Sequence, residues 1–186
     1  KKIKYLLEAS LIYLIFLLIK CLGLKISRVF FSFIFRKIGP LIKSSKITKK
    51  NLLRFSNQMS NKELNLIMSE MWSNYGKTFV EYMFLKKFRT GNSHIVVKGQ
   101  KILDNIKVSN KPVIFVSGHF ANFELMSMEI TKKNIQLATI YRPLNNFFLN
   151  PFMEYLRKKY VCHNQIRKGI NGLRETIKYI KKKHCI

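Results

Sequence analysis

Hydrophobic positions in the first fifty residues cluster rather than alternate. Behind Lys1-Lys2-Ile3-Lys4, the stretch from Ala9 to Ile19 carries no charge for eleven residues; Lys20 interrupts it, Cys21 to Leu24 resumes it, and Val29 to Phe35 is apolar again. A membrane-spanning helix wants about 20 mostly apolar residues, and a lysine within such a run snorkels to the headgroups. The pattern therefore predicts a helical anchor that either spans once or lies in the interface. No small-residue cleavage site follows, so the anchor is read as uncleaved. Gly39-Pro40 is expected to break the helical pattern, and Ser44-Ser45 to begin a short linker.

Ser60-Asn61-Lys62-Glu63 has the form of a capping box, with apolar residues following at 64, 67, 68, 71, 72, 75, 79, 82 and 83. The spacing predicts a helix with a core-facing stripe, Trp72 and Tyr75 included. From Arg89 onward, short β-like runs alternate with helical stretches. Strands are expected at 94–97, 113–116 and 135–140, and helices at 100–108, 122–132, about 147–159 and about 170–183, with a Pro143 loop between. Such alternation implies an α/β fold with helices packed against a sheet.

Composition narrows the chemistry. The 186 residues, 47% hydrophobic, suffice for one sizeable domain. The reading is a membrane-anchoring segment over 1–40 and a principal domain over 41–186. A formal charge of +26, from 35 Lys plus Arg against 9 Asp plus Glu, predicts attraction to nucleic acid, anionic headgroups or an acidic protein. Twelve Lys or Arg against Glu8 in residues 1–50 place much of that charge beside apolar helix, an arrangement an anionic leaflet holds. Asp104 is the only Asp, which excludes D-x-D nucleotide-sugar sites, EF-hands and two-metal carboxylate clusters. Cys21, Cys162 and Cys185 are odd in number and widely spaced, as expected of reduced thiols. Cys162-His163 and His184-Cys185 have no zinc-ligand spacing, and no metal is expected.

The informative segment is Pro112-Val-Ile-Phe-Val-Ser-Gly-His-Phe-Ala-Asn-Phe-Glu-Leu-Met126. An apolar run ends at Ser117-Gly118, His119 follows at its tip, and Asn122 is placed to cap a helix carrying Glu124 in its first turn. Strand tips at helix starts are where α/β folds hold chemistry. Five residues rotate a helix direction by about 140°, so His119 and Glu124 meet only if the histidine precedes the helix. Glu124 is then expected to accept a hydrogen bond from one imidazole nitrogen, leaving the other to take a proton from a hydroxyl. Gly118 allows close approach of a substrate to the backbone. No G-x-S-x-G elbow, P-loop or dinucleotide fingerprint competes.

At these residues the chain resembles the lysophospholipid acyltransferase superfamily, in the form of the bacterial lipid A biosynthesis acyltransferases, the lauroyl and myristoyl transferases. Gly-His-Phe-Ala-Asn-Phe-Glu is similar to their His-x4-acid motif. Tyr141-Arg142-Pro143 with Asn145-Asn146, then Arg167-Lys168-Gly169-Ile170, follow in matching order. The resemblance implies a glycerolipid-acyltransferase-like mixed sheet flanked by helices behind the anchor. It implies fatty acyl transfer from acyl carrier protein or coenzyme A, as co-substrate and without a cofactor, to a lipid A precursor hydroxyl at the cytoplasmic face of the bacterial inner membrane. On that mapping His119 is the general base and Glu124 its orienting partner. Arg142 orients substrate or binds phosphate, with Gly118, Asn122, Tyr141 and Arg167 as further substrate-binding positions. Family members continue past the helix at 170–183 into strands that include an Asp-Gln segment. The chain begins with Lys1 rather than Met and shows no such segment after Lys183, so both ends are expected to be cut and the carboxyl-terminal part of the domain missing. Two other readings are glycerolipid acyl transfer, whose motif usually carries Asp where Glu124 stands, and a non-enzymatic cationic protein binding membrane or RNA. The second leaves the Ser-Gly-His…Glu arrangement without a purpose; nucleic acid is not an expected partner.

Overall fold

The computed structural model describes residues 1–42 and 45–186. The elements in order are α1 (Lys2–Ile42), α2 (Ser45–Phe55), α3 (Asn61–Glu81), a 3-10 turn (Tyr82–Phe84), α4 (Leu85–Thr90), α5 (Gln100–Ser109), α6 (Glu124–Lys132), β1 (Ala138–Tyr141), α7 (Asn150–Tyr160), β2 (Asn164–Arg167) and α8 (Ile170–Lys181). They fall into two compact units, one of residues Ile15–Met83 and one of Lys1–Leu14 with Phe84–Ile186.

The Ile15–Met83 unit is helical. Its helix α1 breaks at Gly23, whose φ of 77° is open to a residue without a Cβ. The ladder lost there is partly replaced by the buried Ser27 hydroxyl, which donates to the Ile19 carbonyl at 3.2 Å. The break expected at Gly39-Pro40 does not occur at that point: α1 runs on to Ile42 with Pro40 inside its last turn, where the proline withholds one N–H from the ladder and the helix ends two residues later. Gly39 serves packing instead, since a Cβ there would sit 2.2 Å from the Trp72 ring. Ser44 of the expected linker lies outside the described residues, and Ser45 already opens α2. The capping box forms as read, with the Glu63 backbone N–H donating to Ser60 Oγ and the Ser60 N–H to Glu63 Oε2. The deepest positions of α3 include small residues. Ser73 pairs with Ser32 at 2.8 Å, and Gly76 faces the Phe31 carbonyl with no room for a Cβ. Phe16, Phe31 and Phe35 surround Phe79. Trp72 lies within this packing, whereas Tyr75 is 56% exposed.

The other unit holds the only sheet among the described residues, a parallel pair in the register Ala138↔Asn164 to Tyr141↔Arg167. The mixed sheet expected from sequence is therefore represented by two strands. The run at 135–140 became β1, and β2 was not anticipated. No strand forms at 94–97, nor at 113–116, where Phe115 N–H donates to Ile186 O at 2.8 Å and Ile186 N–H to Val113 O at 3.0 Å. Two bonds make no ladder, and Ile114 and Val116 remain 68% and 91% exposed. Cys185 bridges Leu137 on the free side of β1. Behind β2, helix α8 turns Gly172 inward, where a Cβ would stand 1.9 Å from the Arg167 carbonyl. Cys162 and Cys185 are buried and Cys21 is exposed; burial raises the Cys162 thiol pKa.

Candidate active site

The segment before α6 turns sharply. Phe120 N–H donates to Gly118 O at 3.0 Å, and Ala121 adopts a φ of 44°. His119 is thereby exposed ahead of the helix, as the His-x4-Glu geometry demands, and its ring meets Phe123 edge-on with centroids 4.5 Å apart. The Phe120 ring covers Gly118, where a Cβ would come 2.5 Å from it. The side chain of Asn122 does not cap α6: Phe123 holds that position without a side-chain cap, and the buried Asn122 gives its carbonyl to Leu125 N–H at 3.1 Å.

Glu124 does start α6, but its carboxylate faces a cation. Arg157 Nε donates to Glu124 Oε1 at 2.7 Å, with the two side chains only 13% and 8% exposed. No hydrogen bond joins His119 to Glu124 among the described residues. Burying two charges is costly unless they are paired this closely, and removing one partner of such a pair typically costs about 3–5 kcal/mol.

The Tyr-Arg-Pro segment reaches the same place. Tyr141 ends β1 opposite Arg167 at the end of β2. Its ring lies 5.9 Å from the Arg157 guanidinium, and its hydroxyl donates to Glu154. Arg167 donates to the Tyr141 hydroxyl at 3.2 Å and to Glu154 Oε1 at 3.1 Å, and Asn150 Nδ2 donates to the same oxygen at 2.7 Å. Burial and the Glu154 hydrogen bond push the Tyr141 pKa up. Burial alone would raise the Glu154 pKa, but the donors Tyr141, Asn150 and Arg167 outweigh it and hold the carboxyl below its ordinary value. Arg167 is shifted up by Tyr141 and Glu154.

Of the residues singled out from sequence, Glu124, Tyr141 and the exposed Arg167 thus converge, whereas His119 and Arg142, also exposed, take no part in these hydrogen bonds. The connecting side chains, Asn150, Glu154 and Arg157, were not foreseen. The signal was present: they stand at i, i+4 and i+7 on α7, one helical face. Among the described residues no cluster of three or more His, Cys, Asp or Glu is placed to hold a metal. A cleft of about 310 Å³ opens at the opposite ends of the strands, beside Arg89, Leu137, Lys158 and His163, and includes none of these site residues.

No curated protein and no solved structure matches the chain. The order of the motifs, with the acidic residue, the tyrosine of Tyr-Arg-Pro and the later arginine gathered on one helix face, accords with a match to a family of known chemistry. The model described as bacterial lipid A biosynthesis acyltransferase matches residues 1–186, the whole length, and the chain belongs to that family.

Proposed function

We propose that the chain transfers a fatty acyl group from the thioester of acyl carrier protein, or of coenzyme A, to a hydroxyl of a lipid A precursor, with His119 as general base. The observation that carries this reading is the family match along the entire chain. His119 takes the hydroxyl proton as the oxygen attacks the thioester carbonyl, and the resulting imidazolium returns it to the departing thiolate. Its exposure ahead of α6 gives a bulky lipid hydroxyl access to the ring. Glu124 is the carboxylate toward which the imidazole turns from Phe123 during the reaction. An ionised carboxylate has about four lone-pair sites, enough for an Arg157 N–H and an imidazole N–H together. Exposed Arg142 meets a phosphate of the glycolipid, and the excess of 35 basic over 9 acidic residues favours an acidic carrier.

Membrane attachment is supported by Lys2–Ile42, a helix long and apolar enough to cross a membrane by length and composition, with mean hydropathy 2.1 in its most apolar window; the cytoplasmic face of the inner membrane is the location this reading proposes for it. The decisive experiment is acyl transfer from acyl carrier protein to a tetra-acylated lipid A precursor. His119→Ala is expected to lower the rate by about 10²–10⁴-fold, the usual contribution of a positioned base; equal rates in variant and parent sink the mechanism.

A further inference from the structure

Arg157 lies outside every motif that pointed to the reaction, yet it touches two of them. Its Nε donates to the carboxylate that opens α6, and its guanidinium stands against the ring that ends β1. One helical turn earlier, Glu154 binds the hydroxyl of that same tyrosine and the arginine that ends β2. A single face of α7 therefore fixes the start of α6 and the ends of both strands. A side chain that only tied helices together needs no charge; Arg157 places a nearly buried cation on a nearly buried carboxylate, 13% and 8% exposed.

We propose that Arg157 is a positioning residue for acyl transfer, holding and aiming the Glu124 carboxylate so that it can support the His119 imidazolium as it forms. This rests on the reading of His119 as the base. Without the cation, the nearly buried carboxylate lacks the charged donor that meets it at 2.7 Å. The carboxylate also loses the partner that fixes its rotamer, and small misplacements of catalytic groups have large kinetic effects. The guanidinium acts through Glu124 and does not touch the substrate, so the loss belongs to turnover rather than to binding.

The test compares kcat and KM of the full chain for Arg157→Met and Arg157→Lys, each in the parent and in a Glu124→Gln background. Expected are a fall in kcat of about 10- to 100-fold for Arg157→Met with KM values within about twofold, partial recovery in Arg157→Lys, which restores a cation, and little further loss when Arg157→Met is added to Glu124→Gln. An equal loss in both backgrounds, or a loss confined to KM, overturns the inference and leaves Arg157 a packing residue. Full activity in Arg157→Met overturns it too, provided His119→Ala is inactive; if His119→Ala keeps its activity, the acyl-transfer mechanism fails first. Should Arg157→Met not fold, the Arg157→Lys comparison in the two backgrounds decides by the same criterion.

Discussion

The two compact units bury polar groups with a different balance of small hydroxyls and charges. In Ile15–Met83 most of the buried polar side chains are small and neutral, Ser27, Ser32 and Ser73, the close approaches fall on glycines 39 and 76, and the unit's one buried carboxylate among the described residues, Glu81 at the end of α3, pairs with the half-exposed Arg28 at 3.2 Å. In the unit holding the candidate site, carboxylates with little exposure gather donors, the buried Glu124 from Arg157 and the partly buried Glu154 from Tyr141, Asn150 and Arg167. The first arrangement rests mainly on shape. The second depends on ionisation states and is therefore sensitive to pH.

This contrast can be broken at four points. The largest effect is expected from Gly76→Val, whose Cβ would meet the Phe31 carbonyl at 2.4 Å; a loss of about 3 kcal/mol in chemical denaturation is anticipated, as for overpacking against a backbone that cannot retreat. Next comes Glu154→Gln, which removes a charged acceptor from three donors and should destabilise by about 1.5–3 kcal/mol near neutral pH. Because the Glu154 pKa is lowered in the folded state, its contribution is present above the ordinary carboxylate pKa and is lost as pH falls through the depressed value. The gap between variant and parent in thermal melts must therefore shrink in acid; a gap independent of pH contradicts the ionic account. Third, Ser32→Ala should cost about 1–2 kcal/mol by stranding the Ser73 hydroxyl, whereas Ser32→Ala with Ser73→Ala should recover much of it. Additive losses would show that the two hydroxyls are uncoupled and that their mutual bond is not what the helical unit loses. The smallest effect, about 1 kcal/mol, is expected for Ser60→Ala, which removes the α3 cap.

What could be read from sequence follows from how local each signal is. The capping box at Ser60–Glu63 and the helix at 100–109 are written in adjacent residues, and both were placed closely. Strand β2 escaped because Asn164-Gln165-Ile166-Arg167 contains one apolar residue and shows no alternation; its place is set by pairing with β1, 26 residues earlier. The opposite error befell Val113–Val116, which has strand chemistry but meets only Ile186. The Gly23 break was invisible because one glycine in an apolar run carries less signal than Gly39-Pro40, and the latter proved to be a packing site for Trp72. At the candidate site, motif spacing singled out Glu124, Tyr141 and Arg167, which the fold brings near one another. Arg157 lies 33 residues beyond its partner Glu124, and only the three-dimensional return of α7 joins them.

The unequal exposure of the three cysteines provides a built-in reporter. Cys162 and Cys185 are shielded, and burial disfavours the reactive thiolate of Cys162, while Cys21 is exposed within α1. A membrane-impermeant maleimide should therefore attach to the native protein at one position, two residues before the Gly23 break. Labelling in sealed vesicles, compared with labelling after detergent solubilisation, would report whether the middle of α1 is bathed in water or covered by lipid, with no cysteine added or removed.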